Sequence, residues 1–209
     1  ATMSATGRGN PCVSASALTF RAITPTGSIL LVDVDAGKTY ENFYFTSLDN
    51  LGKAYTYWDL TSWGRLTGSQ LLAFDTVIWY TSNVYGSGIV NDVDRAALAA
   101  FLDGGGNLFI NGQLIGYSVY TYGGTAGEAW FQTYLGADYL RYDTSVSSVS
   151  GVAGDPITDG LTIGIIGGDG ANNQSYASKI DPASGGVGCF YYVENPQPCG
   201  ATHLEGGAF

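Results

Sequence analysis

Residues 28–37 read Ser-Ile-Leu-Leu-Val-Asp-Val-Asp-Ala-Gly, and this stretch decides the fold class. Its apolar run, residues 29–32, is uninterrupted, which is typical of a strand that is buried on both faces. A polar turn follows at once, and the next residues place aromatic and aliphatic side chains on one stripe of a helix. A strand of this kind followed by a helix indicates a parallel sheet inside an α/β domain.

The same succession recurs along the chain. Thr39 is placed to cap the first helix and Gly52 to end it, and Asn91 or Asp92 is placed to cap a second helix. Further strands are predicted at residues 54–60, 73–80, 108–110, 137–141 and 187–193, and a short helix at 128–135. The pattern predicts a three-layer, flavodoxin-like α/β fold with a mostly parallel sheet and helices on both faces.

Composition limits the function classes. The 209 residues, 45% of them hydrophobic, suffice for the core of one domain. The 18 acidic and 8 basic residues give a net charge of −10, and the basic ones are scattered singly. Nucleic-acid binding needs a basic stripe, and anionic membrane surfaces attract clustered cations, so neither partner is expected. No apolar stretch approaches the length of a membrane span.

The chain divides into an N-terminal arm or linker, residues 1–27, and a domain, residues 28–209. The arm is rich in Ser, Thr, Ala and Gly. The sequence begins without the basic and apolar regions of a secretory signal peptide. We therefore expect a mature or excised piece of a longer secreted, extracellular protein.

Polar residues stand where the apolar runs stop. In parallel sheets, ligands bind outside the carboxyl ends of the strands, at the point where the strand order reverses. The candidate binding residues at these ends are Asp33, Asp35, Ser82, Asn83, Asn111 and Gln113. The alternative is ordinary turn chemistry, since Asn, Asp and Ser commonly end strands.

Asp33 and Asp35 are the candidate metal ligands. In an extended segment they point to the same side, and Glu41 or Asn83 could join them. Hard oxygen ligands of this kind suit calcium or magnesium, although the spacing does not follow the EF-hand pattern. The alternative is a pair of solvated carboxylates favoured by the N-terminus of the following helix. No cofactor is required by the sequence, and calcium is the candidate.

The chain has three cysteines. Cys189 and Cys199 flank a Pro-rich turn, which could bring two strand ends within reach of a disulfide. That bond would imply an oxidising compartment, and the alternative is two buried thiols. Cys12 is left without a partner in either case. Separately, Tyr117, Tyr120 and Tyr122 are expected to form an exposed aromatic patch.

Five segments together carry a resemblance to a known family. They are residues 29–42, 77–83, 98–113, 149–157 and 167–174, of which the third reads Leu-Ala-Ala-Phe-Leu-Asp-Gly-Gly-Gly-Asn-Leu-Phe-Ile-Asn-Gly-Gln. The series resembles the class I glutamine amidotransferase-like, flavodoxin-like domain of large secreted bacterial proteins, including peptidases of the immune inhibitor A type. The resemblance covers residues 28–209. It implies a 2-1-3-4-5 strand order and an accessory role beside other domains of a parent chain.

The catalytic motif of that family is incomplete here. Class I amidotransferases place a nucleophilic cysteine in the turn after the strand that matches residues 108–110, and this chain has Asn111-Gly112-Gln113 there. The motif around His203 matches the family's His-x-Glu, but without a thiolate that histidine has nothing to activate. We therefore expect a non-catalytic accessory domain that acts by binding or packing. A hydrolase of unrecognised type that uses His203 is an alternative.

A second alternative concerns assembly. Similar domains continue past residues 206–209 with one more apolar strand, so we expect this domain to lack its last strand. An open sheet edge is a template for pairing with another chain. The chain could then be a self-assembling extracellular structural subunit of filament type, in which copies exchange terminal strands.

Overall fold

The computed structural model describes residues 23–143, 146–165, 175–183 and 185–193, and the backbone of residues 202–204. Its centre is a parallel sheet in the order β2-β1-β3-β4. The strands are β1 (Ile29–Asp33), β2 (Tyr55–Asp59), β3 (Thr76–Ser82) and β4 (Asn107–Gly112). The predicted run at residues 29–32 is therefore a central strand, with parallel neighbours on both sides.

Five helices accompany this sheet. They are α1 (Glu41–Asn50), α2 (Leu60–Trp63), α3 (Gly68–Leu71), α4 (Asp92–Asp103) and α5 (Ile115–Leu135). Helix α5 is longer than the helix predicted at 128–135, and it bends at Gly124, whose φ of 55° interrupts the helical backbone. None of the helices in the described segments combines the length and the apolar character that crossing a bilayer demands.

The two faces of β1 serve two separate cores, because successive side chains of a strand point to opposite faces. Leu30 and Val32 pack with α4 and α5 on one face. Leu31 packs with Leu48 of α1 on the other. All three strand residues are fully buried, and burial of each contributes about 1.5–3 kcal/mol. The predicted three-layer α/β fold is confirmed.

The helix starts show one correct prediction and one wrong one. Asn91 caps α4, and it exchanges hydrogen bonds with Asp94 in a capping box. Thr39 does not cap α1: that helix begins after Tyr40, without a side-chain cap. The carboxylate of Asp35 accepts the backbone N–H groups of Lys38 and Tyr40, so it holds the turn that leads into the helix.

The fifth predicted strand forms where expected but does not extend the parallel sheet. Strand β5 (Ala137–Arg141) pairs antiparallel with β8 (Lys179–Pro182). The expected 2-1-3-4-5 order is therefore correct for the first four strands and wrong for the fifth. Within the described residues, β4 has one strand neighbour, β3.

The remaining strands are short and antiparallel. β6 (Ser148–Gly151) pairs with β7 (Thr162–Gly164) and β10 (Phe190–Tyr192), and β9 (Gly186–Gly188) pairs with β11 (Thr202–Leu204). The single late strand predicted at 187–193 is thus two strands that belong to different sheets. Residues 1–22, which make up most of the predicted arm, lie outside the described residues.

Candidate functional site

The carboxyl end of β1 places two buried carboxylates side by side. Asp33 is 4% exposed and Asp35 is fully buried. The backbone N–H of Asp35 donates to Oδ1 of Asp33 at 2.8 Å, and the hydroxyl of Tyr57 donates to Oδ2 at 2.6 Å. The interpretation of these residues as solvated carboxylates is therefore wrong, because both are buried.

Glu41 joins the two aspartates. One carboxylate oxygen of each of Asp33, Asp35 and Glu41 lies within 4.8 Å of the others, and Oε2 of Glu41 is buried without a hydrogen-bond partner in the described structure. Because α1 begins at Glu41, the short turn after β1 carries this third carboxylate back over the strand end. These three residues could hold a metal ion through oxygen ligands.

The electrostatics of the cluster favour neutral forms. Burial, and then the neighbouring Asp33 carboxylate, raise the pKa of Asp35 to about 6, against the two backbone N–H groups that it accepts. Burial and the same carboxylate raise the pKa of Tyr57 and of Tyr80. The hydroxyl of Tyr80 is buried without a hydrogen-bond partner among the described residues.

The carboxyl end of β3 contributes Ser82 and Asn83. Ser82 is buried in the left-handed region at φ 54°, where the β3–β4 register shifts, so the strand bends at its end. The ammonium of Lys38 makes a short hydrogen bond to Oδ1 of Asn83. The turn after β1 is thereby joined to the turn after β3.

The carboxyl end of β4 contributes Asn111. Its Oδ1 accepts a hydrogen bond from the hydroxyl of Tyr44 at 3.3 Å. The ring of Tyr44 stacks on that of Tyr80 at 4.4 Å between centroids. Asn111 is itself exposed, so it lies at the rim of the site.

The side chain of Gln113 has hydrogen-bond partners that its position in the sequence did not suggest. Its side chain is buried, and its Oε1 accepts the backbone N–H groups of Ser175 and Tyr176 at 2.7 and 3.2 Å. Its Nε2 donates to the backbone oxygen of Asn83 at 3.4 Å. The amide therefore ties the segment after residue 174 to the edge of the parallel sheet.

The turn between β4 and α5 consists of Gln113 and Leu114, so neither residue supplies a thiol or a hydroxyl. This is the position at which the family resemblance implied a catalytic cysteine. Strand β11 holds His203 opposite Val187, and the side chain of His203 lies outside the described residues. Cys189 is a free, half-buried thiol, so the predicted disulfide is not shown. Its expected partner Cys199, and Cys12, lie outside the described residues.

All six predicted binding residues lie at one edge of the sheet, and side-chain hydrogen bonds connect most of them. Their role in binding remains a prediction. Sequence reasoning missed the hydroxyls of Tyr44, Tyr57 and Tyr80 that surround the carboxylates. The alternation of Tyr55 and Tyr57 in β2 was a signal, since it puts both side chains on one face.

Comparisons with known proteins bear on the fold. No protein-family model matches the chain, and a search of curated proteins gives no match. Among solved structures, a protein assigned to GMP synthase from Thermoplasma acidophilum matches with a TM-score of 0.53 and 13% identity, covering 88% of this chain and 82% of that one. A ThuA-like protein from Bacteroides uniformis matches with a TM-score of 0.50 and 13% identity, covering 92% and 79%.

A glutamine amidotransferase from Methylobacillus flagellatus also matches, with a TM-score of 0.49 and 8% identity, covering 87% of this chain and 67% of that one. Identities this low speak to the fold alone. Nothing in these comparisons connects the chain with peptidases of the immune inhibitor A type. The chain has a flavodoxin-like α/β fold, and the structures assigned to GMP synthase and to a ThuA-like protein are similar to it in fold.

Proposed function

We propose that this chain is a non-catalytic binding domain whose strand-end edge takes up a divalent cation, calcium. The observation that carries the proposal is the cluster of Asp33, Asp35 and Glu41, with ligand oxygens within 4.8 Å of one another. Two of these carboxylates are buried, and in the described segments none of the three forms an ion pair. Lys38, which lies in the same turn, directs its ammonium to Asn83 instead.

Electrostatics supports a bound cation. Buried carboxylates repel one another and lose hydration, so they must bind a proton or a cation to remain buried. The raised pKa of Asp35 favours the first of these, a bound proton. Above pH 6 that proton is mostly lost, and a divalent cation can then offset the negative charge of the carboxylates.

The donor set favours calcium over magnesium. Calcium accepts six to eight oxygen ligands in flexible geometry, whereas magnesium demands a nearly ideal octahedron and keeps several waters. Asp33 and Asp35 already accept hydrogen bonds from Tyr57 and from backbone N–H groups, so their oxygens cannot turn freely to meet a strict octahedron. An ion that tolerates varied ligand directions suits this cluster.

The β4–α5 turn supports a non-catalytic role. An amidotransferase needs a nucleophile there, and this turn offers the side chains of Gln113 and Leu114. The amide of Gln113 is occupied by three hydrogen bonds. The hydrolase alternative has no observation in its favour, since the His203 side chain lies outside the described residues.

The cellular setting is part of the same proposal. The sequence resemblance to accessory domains of secreted proteins, among them immune inhibitor A-type peptidases, supports an extracellular role beside other domains of a parent chain. Millimolar extracellular calcium would then occupy even a weak site of this kind.

Terbium luminescence tests the cation site. Tb³⁺ substitutes for Ca²⁺ at oxygen sites, and the rings of Tyr57 and Tyr80 beside Asp33 can sensitise it. We expect saturable luminescence that calcium displaces, and that is lost in Asp35→Asn but kept in Asp92→Asn, which neutralises an exposed aspartate of α4. Absence of sensitised emission, or equal emission from both variants, contradicts the proposal.

A second candidate function is self-assembly, and the outer edge of β4 favours it. The strand has no charged residue or proline, the usual devices that protect an edge, and Phe109 is 53% exposed. Such an edge could pair with a strand of another copy, which would give a filament-type extracellular subunit.

A further inference from the structure

Four exposed tyrosines and one half-buried tyrosine, Tyr117, form a surface beside the strand-end edge, and we call it the tyrosine surface: Tyr85, Tyr117, Tyr122, Tyr142 and Tyr176. Tyr142 is the centre, with its ring 5.1 Å from the rings of both Tyr117 and Tyr176. Tyr122 contacts Tyr117 at 6.4 Å, and Tyr85 is close enough to raise the pKa of Tyr142, after burial and Tyr176.

The surface differs from the aromatic patch that the sequence predicted. Tyr117 and Tyr122 belong to it, but Tyr120 turns inward and packs against Phe131. The other members come from separate parts of the chain: the loop after β3, the residue after β5, and the segment after residue 174. Three-dimensional convergence of distant tyrosines is not visible in sequence spacing.

Exposure of this extent calls for an explanation. Tyr85, Tyr122, Tyr142 and Tyr176 are between 40% and 61% exposed. Contiguous exposed aromatic surface is uncommon on soluble domains and marks sites of interaction. Because the rings brace one another, the surface is ordered before a ligand arrives, which lowers the entropy cost of binding.

The tyrosine surface belongs to the same edge as the candidate site. The backbone N–H of Tyr176 donates to Gln113, which in turn bonds to Asn83. Tyr85 follows Asn83 by two residues. A ligand on the tyrosine surface would therefore lie alongside the strand ends.

Charge narrows the ligand class. Asp143 is one charged group that acts on Tyr142, and the whole protein carries a net charge of −10. This net charge disfavours phosphate, sulfate and carboxylate ligands, and with them nucleic acids and acidic polysaccharides. Neutral and cationic ligands remain.

Ring geometry decides between these two. A cation is enclosed by separate aromatic walls that face it. Here the ring of Tyr142 lies 5.1 Å from the rings of both Tyr117 and Tyr176, tilted by 69° and 37°, so the rings leave no gap between them for an enclosed cation. The exposed parts of the Tyr142 and Tyr176 rings suit a ligand with polarised C–H groups, which lie favourably on the negative face of a ring. The phenol groups add donors and acceptors for hydroxyls.

We propose that the tyrosine surface binds a neutral carbohydrate by stacking pyranose rings on Tyr142 and Tyr176. This inference rests on the proposed binding function, whose ligand class it names. The rings of the tyrosine surface match the polarised C–H groups of a sugar, and the tyrosine hydroxyls match its hydroxyl groups.

Two experiments test the proposed carbohydrate binding. A glycan array of neutral, sulfated and uronic-acid glycans comes first. Native electrophoresis then uses gels that contain the neutral polysaccharide that the array shows to bind best. We expect binding to neutral glycans alone, with at least a tenfold loss of affinity in Tyr142→Ala and Tyr176→Ala. Tyr142→Phe should keep most of the affinity because it keeps the ring. Phe43→Ala removes an exposed aromatic of α1 outside the surface and should bind like the parent.

Circular dichroism of each variant reports folding, and decalysine binding by fluorescence anisotropy is measured on the same samples. No neutral glycan bound, binding unchanged in the Tyr142→Ala variant, or binding of decalysine in place of glycans would each overturn the inference. Terbium binding on the same samples separates the two proposals. If terbium emission is intact but no glycan binds, the proposed ligand class alone is wrong. If terbium emission is lost, the proposed cation site is wrong.

Discussion

The backbone N–H of Asp35 donates to the carboxylate of Asp33 at 2.8 Å, so β1 ends in two buried acids that share one turn. This bond holds the two side chains close enough for the charge of Asp33 to disfavour ionisation of Asp35. A bound proton or cation is therefore needed at this edge of the sheet to offset the negative charge of the two carboxylates.

The first prediction concerns pH. The pKa of Asp35 in the fold is about 6, raised from 3.8, so the protonated form stabilises the folded state. Without divalent cations, this contribution is complete below pH ~4 and is lost as the pH rises through about 6. We expect the Tm of the chelated protein to fall over this window relative to Asp35→Asn, measured by differential scanning calorimetry.

The comparison with Asp35→Asn is needed because Asp94 titrates in the same direction. Burial raises the pKa of Asp94 as well, against the lowering effect of Arg65. Asp94 is present in both proteins, so its contribution cancels in the difference. Parallel Tm curves for the parent and Asp35→Asn would show that Asp35 ionises normally.

The second prediction concerns Gln113. Gln113→Ala leaves the backbone N–H of Ser175 without its 2.7 Å acceptor, and it also removes the bond to Asn83. We expect a loss of about 1–3 kcal/mol in the free energy of unfolding, measured by urea titration.

The matched control is Asn42→Ala, which removes an exposed amide with one hydrogen bond to the backbone oxygen of Thr39. Its effect should stay within about 0.5 kcal/mol. A Gln113→Ala variant as stable as this control would mean that the amide does not hold the later segment to the sheet.

Strand β1 and its two acidic residues show how much of the fold could be predicted from the sequence. The apolar run and the polar residues after it predicted the strand, its burial on both faces and the edge at which six candidate residues gather. Local pattern suffices there, since burial on both faces demands an unbroken run. The capping box at Asn91 was predictable for the same reason, because its partner is three residues away.

Long-range pairing was not predictable in this way. Strand β5 has the pattern of a sheet strand, yet its partner is β8, about forty residues later, and short strands such as β8 have little periodicity of their own. Two partners of Gln113, Ser175 and Tyr176, lie more than sixty residues away. Tyr57 and Tyr80 reach Asp33 from neighbouring strands, so their role depends on register.

The third prediction concerns the α4 cap. Asn91→Ala removes the oxygen that accepts the N–H of Asp94 at 3.1 Å. We expect a loss of about 0.5–2 kcal/mol in the free energy of unfolding, again by urea titration. Asn91→Ser, which keeps a capping oxygen, should recover most of this loss. If Asn91→Ser is as destabilised as Asn91→Ala, capping is not the cause.

The fourth prediction tests self-assembly through β4. Phe109→Lys places a charge on the exposed edge of the sheet, which should oppose strand pairing between copies. We expect sedimentation velocity to show concentration-dependent association of the parent and a monomer for the variant. Val93→Lys, at an exposed apolar position of α4, is the control and should associate like the parent. If the parent protein stays monomeric at every concentration, the proposed self-assembly is wrong.

Isothermal titration of the chelator-treated protein with calcium at neutral pH measures cation binding by Asp33, Asp35 and Glu41 directly. We expect one site per chain and no binding by Asp35→Asn. At free calcium 100 times the Kd, the fold should gain roughly 2.7 kcal/mol of stability. A flat titration of the parent, or equal heats from the parent and Asp35→Asn, would contradict the proposed cation site.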